Sequence, residues 1–376
     1  MTDVTDVTDV TATDKAGTGR EAAVFARIEA FRRRRPRLLD DVVTLAHGAG
    51  GKASAALLDA VFLPAFANDT LADQTDAAVI PLPPGSGERL AFSTDSYVVK
   101  PRHFPGGSVG HLAVHGTVND LAMMGARPLA LSAAFVLEEG FPIDDLRGIV
   151  ADMAEAAATA GIPIVTGDTK VVDRGAADGM YISTSGVGII PAGRELSASR
   201  VRDGDVVLCS GTIGDHGTAV MLARGDLALE ADIVSDTAPL NELTDRLLAA
   251  APGTRWLRDA TRGGVGTICN ELARDSNLTV VLEESALPVK PAVGAACELL
   301  GIDPLYVANE GKLVAVVAPD EADAALAALR EHPLGADAVR IGEIRTEPPG
   351  IVVLLTLFGG TRIVDMLVGD PLPRIC

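Results

Sequence analysis

From Leu45 onward, apolar runs of strand length alternate with stretches of helical period. Leu90–Phe92 and Tyr97–Val99 read as short strands on either side of Ser93-Thr94-Asp95-Ser96. Val109–Met124 predicts a helix. Ser108 caps it, Gly125 stops it, and Leu112, Ala113, Leu121 and Met124 form much of its apolar face. Leu146, Ile149, Val150, Met153 and Ala157 give Asp144–Ala160 the same period, ended by Gly161. Ile162–Val165 predicts a strand ending in Thr166-Gly167-Asp168-Thr169-Lys170, and Tyr181–Ile190 alternates like a strand with glycines. Pro191–Asp205 is rich in turn residues and predicts a boundary. Beyond it, Val206–Cys209, Leu313–Val317 and Ile351–Leu357 read as strands, and Gly264–Arg274 and Glu321–Arg330 as helices. Strands and helices mixed in both halves predict two α/β (α+β) domains. The expected division is an extension over 1–38, domains over 39–195 and 196–365, and a tail over 366–376.

Composition narrows the function. Hydrophobic residues make up 48% of 376, enough for a sizeable core, and mean hydropathy is +0.27. The net charge is 32 − 51 = −19. The first 38 residues hold eight basic and six acidic side chains, a charge of +2, so the remainder carries −21. A field that negative argues against nucleic acid and anionic membranes as partners. An anionic substrate would need a metal or local donors. No apolar run reaches membrane-spanning length and no secretory leader is evident, so a cytoplasmic protein is expected. The four cysteines, Cys209, Cys269, Cys297 and Cys376, form no CxxC pair. The extension, with Thr-Asp-Val repeated three times and arginines at 32–35, reads as a solvated tail.

Candidate chemistry gathers in a few short motifs. His47-Gly48-Ala49-Gly50-Gly51-Lys52 is a glycine-rich loop able to bring backbone N–H groups to a phosphate, although it departs from the P-loop pattern at 46 and 53. Asp95, Asn119-Asp120, Asp168, Asp259 and Glu310 supply carboxylates in short motifs, the kind of group that can hold Mg²⁺ against a nucleotide, although spacing alone does not bring them together. Each alone also reads as a cap or turn residue. Glu310 has an ion pair with Lys312 as its bland alternative, and Lys170 a solvated surface position. Cys376 is the last residue, on a proline-punctuated segment with about 20 Å of reach at roughly 3.3 Å per residue. A terminal thiol there can receive a group and carry it to a site.

Eight motifs in order carry a resemblance: Ala46–Gly51, Phe92–Tyr97, Phe104–Gly107, Gly116–Leu121, Val165–Val172, Asp259–Gly264, Asn309–Lys312 and the terminal Pro373-Arg374-Ile375-Cys376. Together they resemble the HypE family of hydrogenase maturation factors, the carbamoyl dehydratases, over Leu45–Cys376. More loosely they resemble the PurM-like superfamily of aminoimidazole ribonucleotide synthetase, selenophosphate synthetase and thiamine-monophosphate kinase. The extension has no counterpart in the family pattern.

The resemblance implies a two-domain PurM-like fold whose N-terminal domains pair as a β-barrel in a homodimer. It implies ATP and Mg²⁺ as cofactors. Gly50, Gly51, Lys52, Asn119, Thr169 and Asp259 would bind ATP, and Asp95, Asp120 and Asp168 the metal. Cys376 would be carbamoylated by the HypF carbamoyltransferase. Glu310 and Lys170 would serve in dehydration to a thiocyanate. The cyano group would pass to iron on the HypC–HypD complex for a nickel–iron hydrogenase. Two other readings stay open: an ATP-dependent relative acting on a free small molecule, and a noncatalytic scaffold of the same fold. A free-substrate enzyme has no need of Cys376, and ATP hydrolysis that depends on a carbamoylated Cys376 would separate an enzyme from a scaffold.

Overall fold

The computed structural model describes residues 38–48, 51–66, 68–72, 74–83, 85–225, 231–367 and 375. The extension up to residue 37, Gly50, residues 368–374 of the tail and Cys376 lie outside the described residues.

Two sheets organise the chain. The first contains β1 (Ala78–Pro81), β2 (Arg89–Tyr97), β5 (Arg127–Glu138), β6 (Ile164–Val172) and β7 (Met180–Ile190), in the order β1-β2-β7-β5-β6. A small hairpin, β3 (His103–Phe104) with β4 (Gly107–Ser108), precedes the Val109–Met123 helix. β5 and β6 are parallel and joined through the Ile143–Ala160 helix; the other pairings are antiparallel. The second sheet holds β8 (Val206–Cys209), β9 (Trp256–Asp259), β10 (Thr279–Glu283), β11 (Leu313–Val317), β12 (Val339–Arg345), β13 (Val352–Leu355) and β14 (Thr361–Val364). Their order is β14-β13-β10-β12-β8-β11-β9. Both sheets are open within one chain, as mixed α/β layers.

The helix ends follow the predicted caps. Ser108 accepts from the Gly110 N–H, and Gly161 closes its helix in the left-handed region at φ 72°. Three strands differ from expectation. β2 runs unbroken through Ser93-Thr94-Asp95-Ser96, paired with β7 from Arg89↔Ile190 to Tyr97↔Ile182. Its polar residues are tolerated because Thr94 and Ser96 lie on the open face, while small Ser93 fits inside. β6 likewise runs on through Thr166–Lys170 to Val172, because β5 offers a parallel partner over Ser132–Glu138. The last predicted strand is the first arm of a hairpin with β14, turned near Gly359.

The Val109–Met123 helix sits between the sheets. Every residue in it is buried except His111 and Asp120, which are half-buried. Leu112, Ala113 and Val118 share one buried cluster with Tyr97 and Ile182 and with Ala219, Val293 and Val307 of the second half. Ala122 and Met123 join Val206, Leu208 and Leu257 in another. One helix thus closes both cores, and this fixes the position of Asp120.

Candidate active site

Asp120 points into a group of carboxylates drawn from three elements. Asp76 precedes β1 and Asp259 ends β9; ligand oxygens of these two and of Asp120 lie within 4.8 Å of one another. Ser93 on β2 donates to Asp120 Oδ2 at 2.6 Å. Arg258 Nε meets Asp76 Oδ1 at 2.9 Å and also pairs with Glu271. Burial and the neighbouring carboxylates hold Asp120 well above its ordinary range. Burial raises Asp76 to about 8 despite Arg258, and raises Asp259 to about 6. Asp76 Oδ2 is buried with no hydrogen-bond partner among the described residues. Three crowded carboxylates, one with an orphan oxygen, fit a hard divalent cation, which would offset their mutual repulsion. Asp76 has no motif signal, because it stands in a turn before the first strand. Asp95 is close enough to raise Asp120, Asp259 and Glu310 but stands outside the cluster.

A prediction follows for the metal-free protein. Asp76 and Asp259 bind protons more tightly folded than unfolded, so their contribution to stability is full below about pH 4 and is lost as pH rises to about 8. Mg²⁺ is therefore expected to raise the melting temperature more at pH 8 than at pH 5. In Asp76→Asn the difference shrinks and Mg²⁺-dependent ATP affinity falls at least about tenfold, as for Asp120→Asn and Asp259→Asn. Scanning calorimetry with and without Mg²⁺ checks this; equal Mg²⁺ effects at both pH values would count against the cluster as a cation site.

The second constellation is the loop ahead of β11. Asn309 is fully buried: its Oδ1 accepts from the Gly214 N–H at 2.7 Å, and its Nδ2 donates to the Ala260 carbonyl at 2.9 Å. Glu310 donates its N–H to Asp236 Oδ1 at 3.1 Å. Lys312 turns its Nζ to Asp236 Oδ2 at 3.4 Å rather than to Glu310, so the simple Glu310–Lys312 pair is not formed. Position 311 must be glycine-sized, because a Cβ there would collide with the Asp236 carbonyl. Glu310 is 3% exposed and its Oε1 has no hydrogen-bond partner among the described residues. Burial, then Asp259, Asp236 and Asp95, hold this carboxyl well above its usual range. Asn119 does structural work beside it, donating to the Ala238 and Glu310 carbonyls and accepting from the Leu240 N–H.

A third feature lies beyond Asp236. His216, in the Asp215–Arg224 helix, is fully buried. Its Nδ1 meets Ser235 Oγ at 2.8 Å and its Nε2 meets the Ile375 carbonyl at 2.8 Å. Burial lowers its pKa, so the ring is neutral. Neither His216 nor Asp236 stands out in the sequence: one follows a glycine-rich turn and the other lies in an aperiodic segment.

The remaining predicted residues are spread out. Gly51 caps the short Lys52–Leu57 helix. Lys52 lies 3.6 Å from Asp365 and lines a cavity of about 1200 Å³ with Asp76, Arg89, Trp256, Arg258 and Arg274. Asp168, Thr169 and Lys170 are exposed on β6, the edge strand, with Lys170 Nζ 2.8 Å from Asp168. That pair lowers the Asp168 pKa, and Asp168 stands apart from the Asp76–Asp120–Asp259 group. The structure thus joins Asp120, Asp259 and Glu310 electrostatically and leaves Asp168, Thr169 and Lys170 on an open edge.

Among the described residues no helix is long and apolar enough to cross a membrane. Residues 74–190 match the AIR synthase related protein N-terminal domain, and 202–354 match the AIR synthase related protein C-terminal domain. The chain is 56% identical over 342 residues to a carbamoyl dehydratase HypE of Rhodobacter capsulatus, covering 90% of this chain and 99% of the relative. A solved HypE–HypF complex superposes with a TM-score of 0.78 at 48% identity, covering 83% of this chain and 100% of the other. A HypE structure in complex with ATP gives 0.74 at 47%, covering 89% and 100%. Matched by both AIR synthase related domains and more than half identical to a HypE relative along nearly that relative's whole length, the chain belongs to the HypE carbamoyl dehydratases within the AIR synthase-related proteins.

Proposed function

We infer that this protein dehydrates a carbamoyl group carried on Cys376 to a thiocyanate, using ATP, and hands the cyano group to iron during nickel–iron hydrogenase assembly. The observation that carries this reading is the burial of Ile375, one residue before the terminal thiol, beside the segment that holds Glu310. A free-substrate enzyme has no need of a C-terminus bound there.

The chemistry runs in two stages. An amide oxygen is a poor leaving group. Its attack on the γ-phosphorus of ATP releases ADP and makes it a phosphate ester. Breaking the C–O bond then expels phosphate as the C≡N bond forms, and the two N–H protons leave. When bound, Mg²⁺ would offset negative charge on the phosphates; Asp76, Asp120 and Asp259 would hold it. Glu310 takes a proton from the amide nitrogen. Lys52 and Gly51, with Gly50, would face the nucleotide.

Lys170 and Asp168 enter through a second copy. Among the described residues, β6 has one unpaired edge and exposes Ile164, Val165 and Val171. A homodimer closing the first sheet against its partner covers that edge and brings Lys170 into enclosed surroundings. HypF supplies the carbamoyl group and the HypC–HypD complex receives the cyanide, all in the cytoplasm.

The test is mass spectrometry of the C-terminal peptide. With HypF and its carbamoyl donor the peptide is expected to gain one carbamoyl mass. On addition of Mg–ATP it then loses one water. ATP turnover without any change on that peptide would rule the reading out.

A further inference from the structure

We propose that His216 is a positioning residue: with Ser235 it grips the backbone carbonyl of Ile375 and so sets the place of the terminal residue beside the Glu310 loop. The proposal rests on the carrier role of Cys376 inferred above.

The hydrogen-bond roles are forced. A carbonyl only accepts, so His216 Nε2–H donates to Ile375 across 2.8 Å. Nδ1 is then an acceptor, and Ser235 Oγ–H donates to it at 2.8 Å. Ser235 Oγ in turn accepts from the Thr237 N–H at 3.1 Å. One tautomer satisfies every atom of the chain of bonds. The ring is held on its edge by Phe104, with centroids 5.4 Å apart and planes at 82°.

Ser235 is itself anchored. Its N–H donates to the Pro105 carbonyl at 2.7 Å. Gly106, at φ +90°, permits this approach, since a Cβ there would lie 2.7 Å from the Ser235 carbonyl oxygen. The occupant is equally enclosed: Ile375 is 4% exposed and shares a buried cluster with Phe104, Val220 and Ile233. A buried backbone carbonyl needs a donor, and here an imidazole rather than a strand supplies it.

Adjacency turns this contact into positioning. Ser235 holds His216, and the next residue, Asp236, holds the Glu310 N–H and Lys312. One dipeptide therefore fixes both the end of the chain and the proposed base. Ile375 directly precedes Cys376 in the sequence, so this contact bears on the carrier cysteine inferred above.

The experiment uses full-length His216→Phe, which keeps a ring without a donor, and His216→Gln, which keeps a donor near Nε2. Ser235→Ala tests the arrangement without touching the imidazole. In single-turnover dehydration of carbamoylated protein, His216→Phe is expected to slow conversion about 100-fold, the scale of an ångström-sized misplacement. The ATP concentration at half-maximal rate stays unchanged. Gln recovers much of the loss, and Ser235→Ala is slowed about tenfold. Independently of activity, carboxypeptidase is expected to release the terminal residues faster from His216→Phe than from native protein. Native conversion and native release rates in His216→Phe and Ser235→Ala would overturn the proposal. If native protein never takes carbamoyl on Cys376, the functional reading fails, while the carboxypeptidase arm still decides the His216–Ile375 contact.

Discussion

Cys376→Ala protein is expected to take up no carbamoyl group from HypF, while a protein with Cys209, Cys269 and Cys297 all changed to alanine takes it up fully. The contrast follows from access and acidity. Cys209, Cys269 and Cys297 are 0%, 0% and 1% exposed. Burial pushes the Cys269 thiol up to about 12 and the Cys297 thiol to about 11, and raises Cys209 as well. The thiolate is the nucleophile, so these three are inert at neutral pH. Their replacement opens small cavities costing about 1 kcal/mol each, so melting is measured before labelling. Carbamoyl mass on any peptide but the last would refute the carrier role.

Glu310→Gln protein should accept the carbamoyl group normally and then hold it. Loss of a general base lowers a rate by about 10² to 10⁴. Stability should move the other way. The native carboxyl is buried, with Asp259, Asp236 and Asp95 disfavouring its charge, and a neutral amide removes that penalty. Metal-free Glu310→Gln is thus expected to melt at or above the native temperature while its dehydration collapses. Lys170→Ala is expected to retain the carbamoyl group in the same assay. Native conversion to the cyano form in both variants would place the base elsewhere.

The two halves and most helices were legible because apolar period and glycine stops are local signals. Ser108 and Gly161 do what their positions suggest. The breaks forecast at Ser93–Ser96 and Thr166–Lys170 failed for a nonlocal reason: neighbouring strands β7 and β5 supply hydrogen bonds that override the polar composition. The same limit governs the site. Glu310, Asp120 and Asp259 stand in recognisable motifs. Asp76, His216 and Asp236 do not, since each gains meaning only from a partner distant in sequence: Arg258, Ile375 and Glu310 respectively. Asp168 and Lys170 carry motif signal but sit exposed on β6, paired with each other and apart from the Asp76–Asp120–Asp259 group.

The Val109–Met123 helix serves two cores at once, and this bears on how the protein comes apart. Neither sheet owns the helix. A half made without it loses a wall of its interior, and a half made with it turns residues such as Leu112 or Met123 toward water. Opening one half therefore exposes apolar surface of the other, so the two domains are coupled as a single cooperative unit. Heat should release them together, and neither would be a useful fragment to express. The coupling also confines motion: a hinge between the halves would have to break a buried interface.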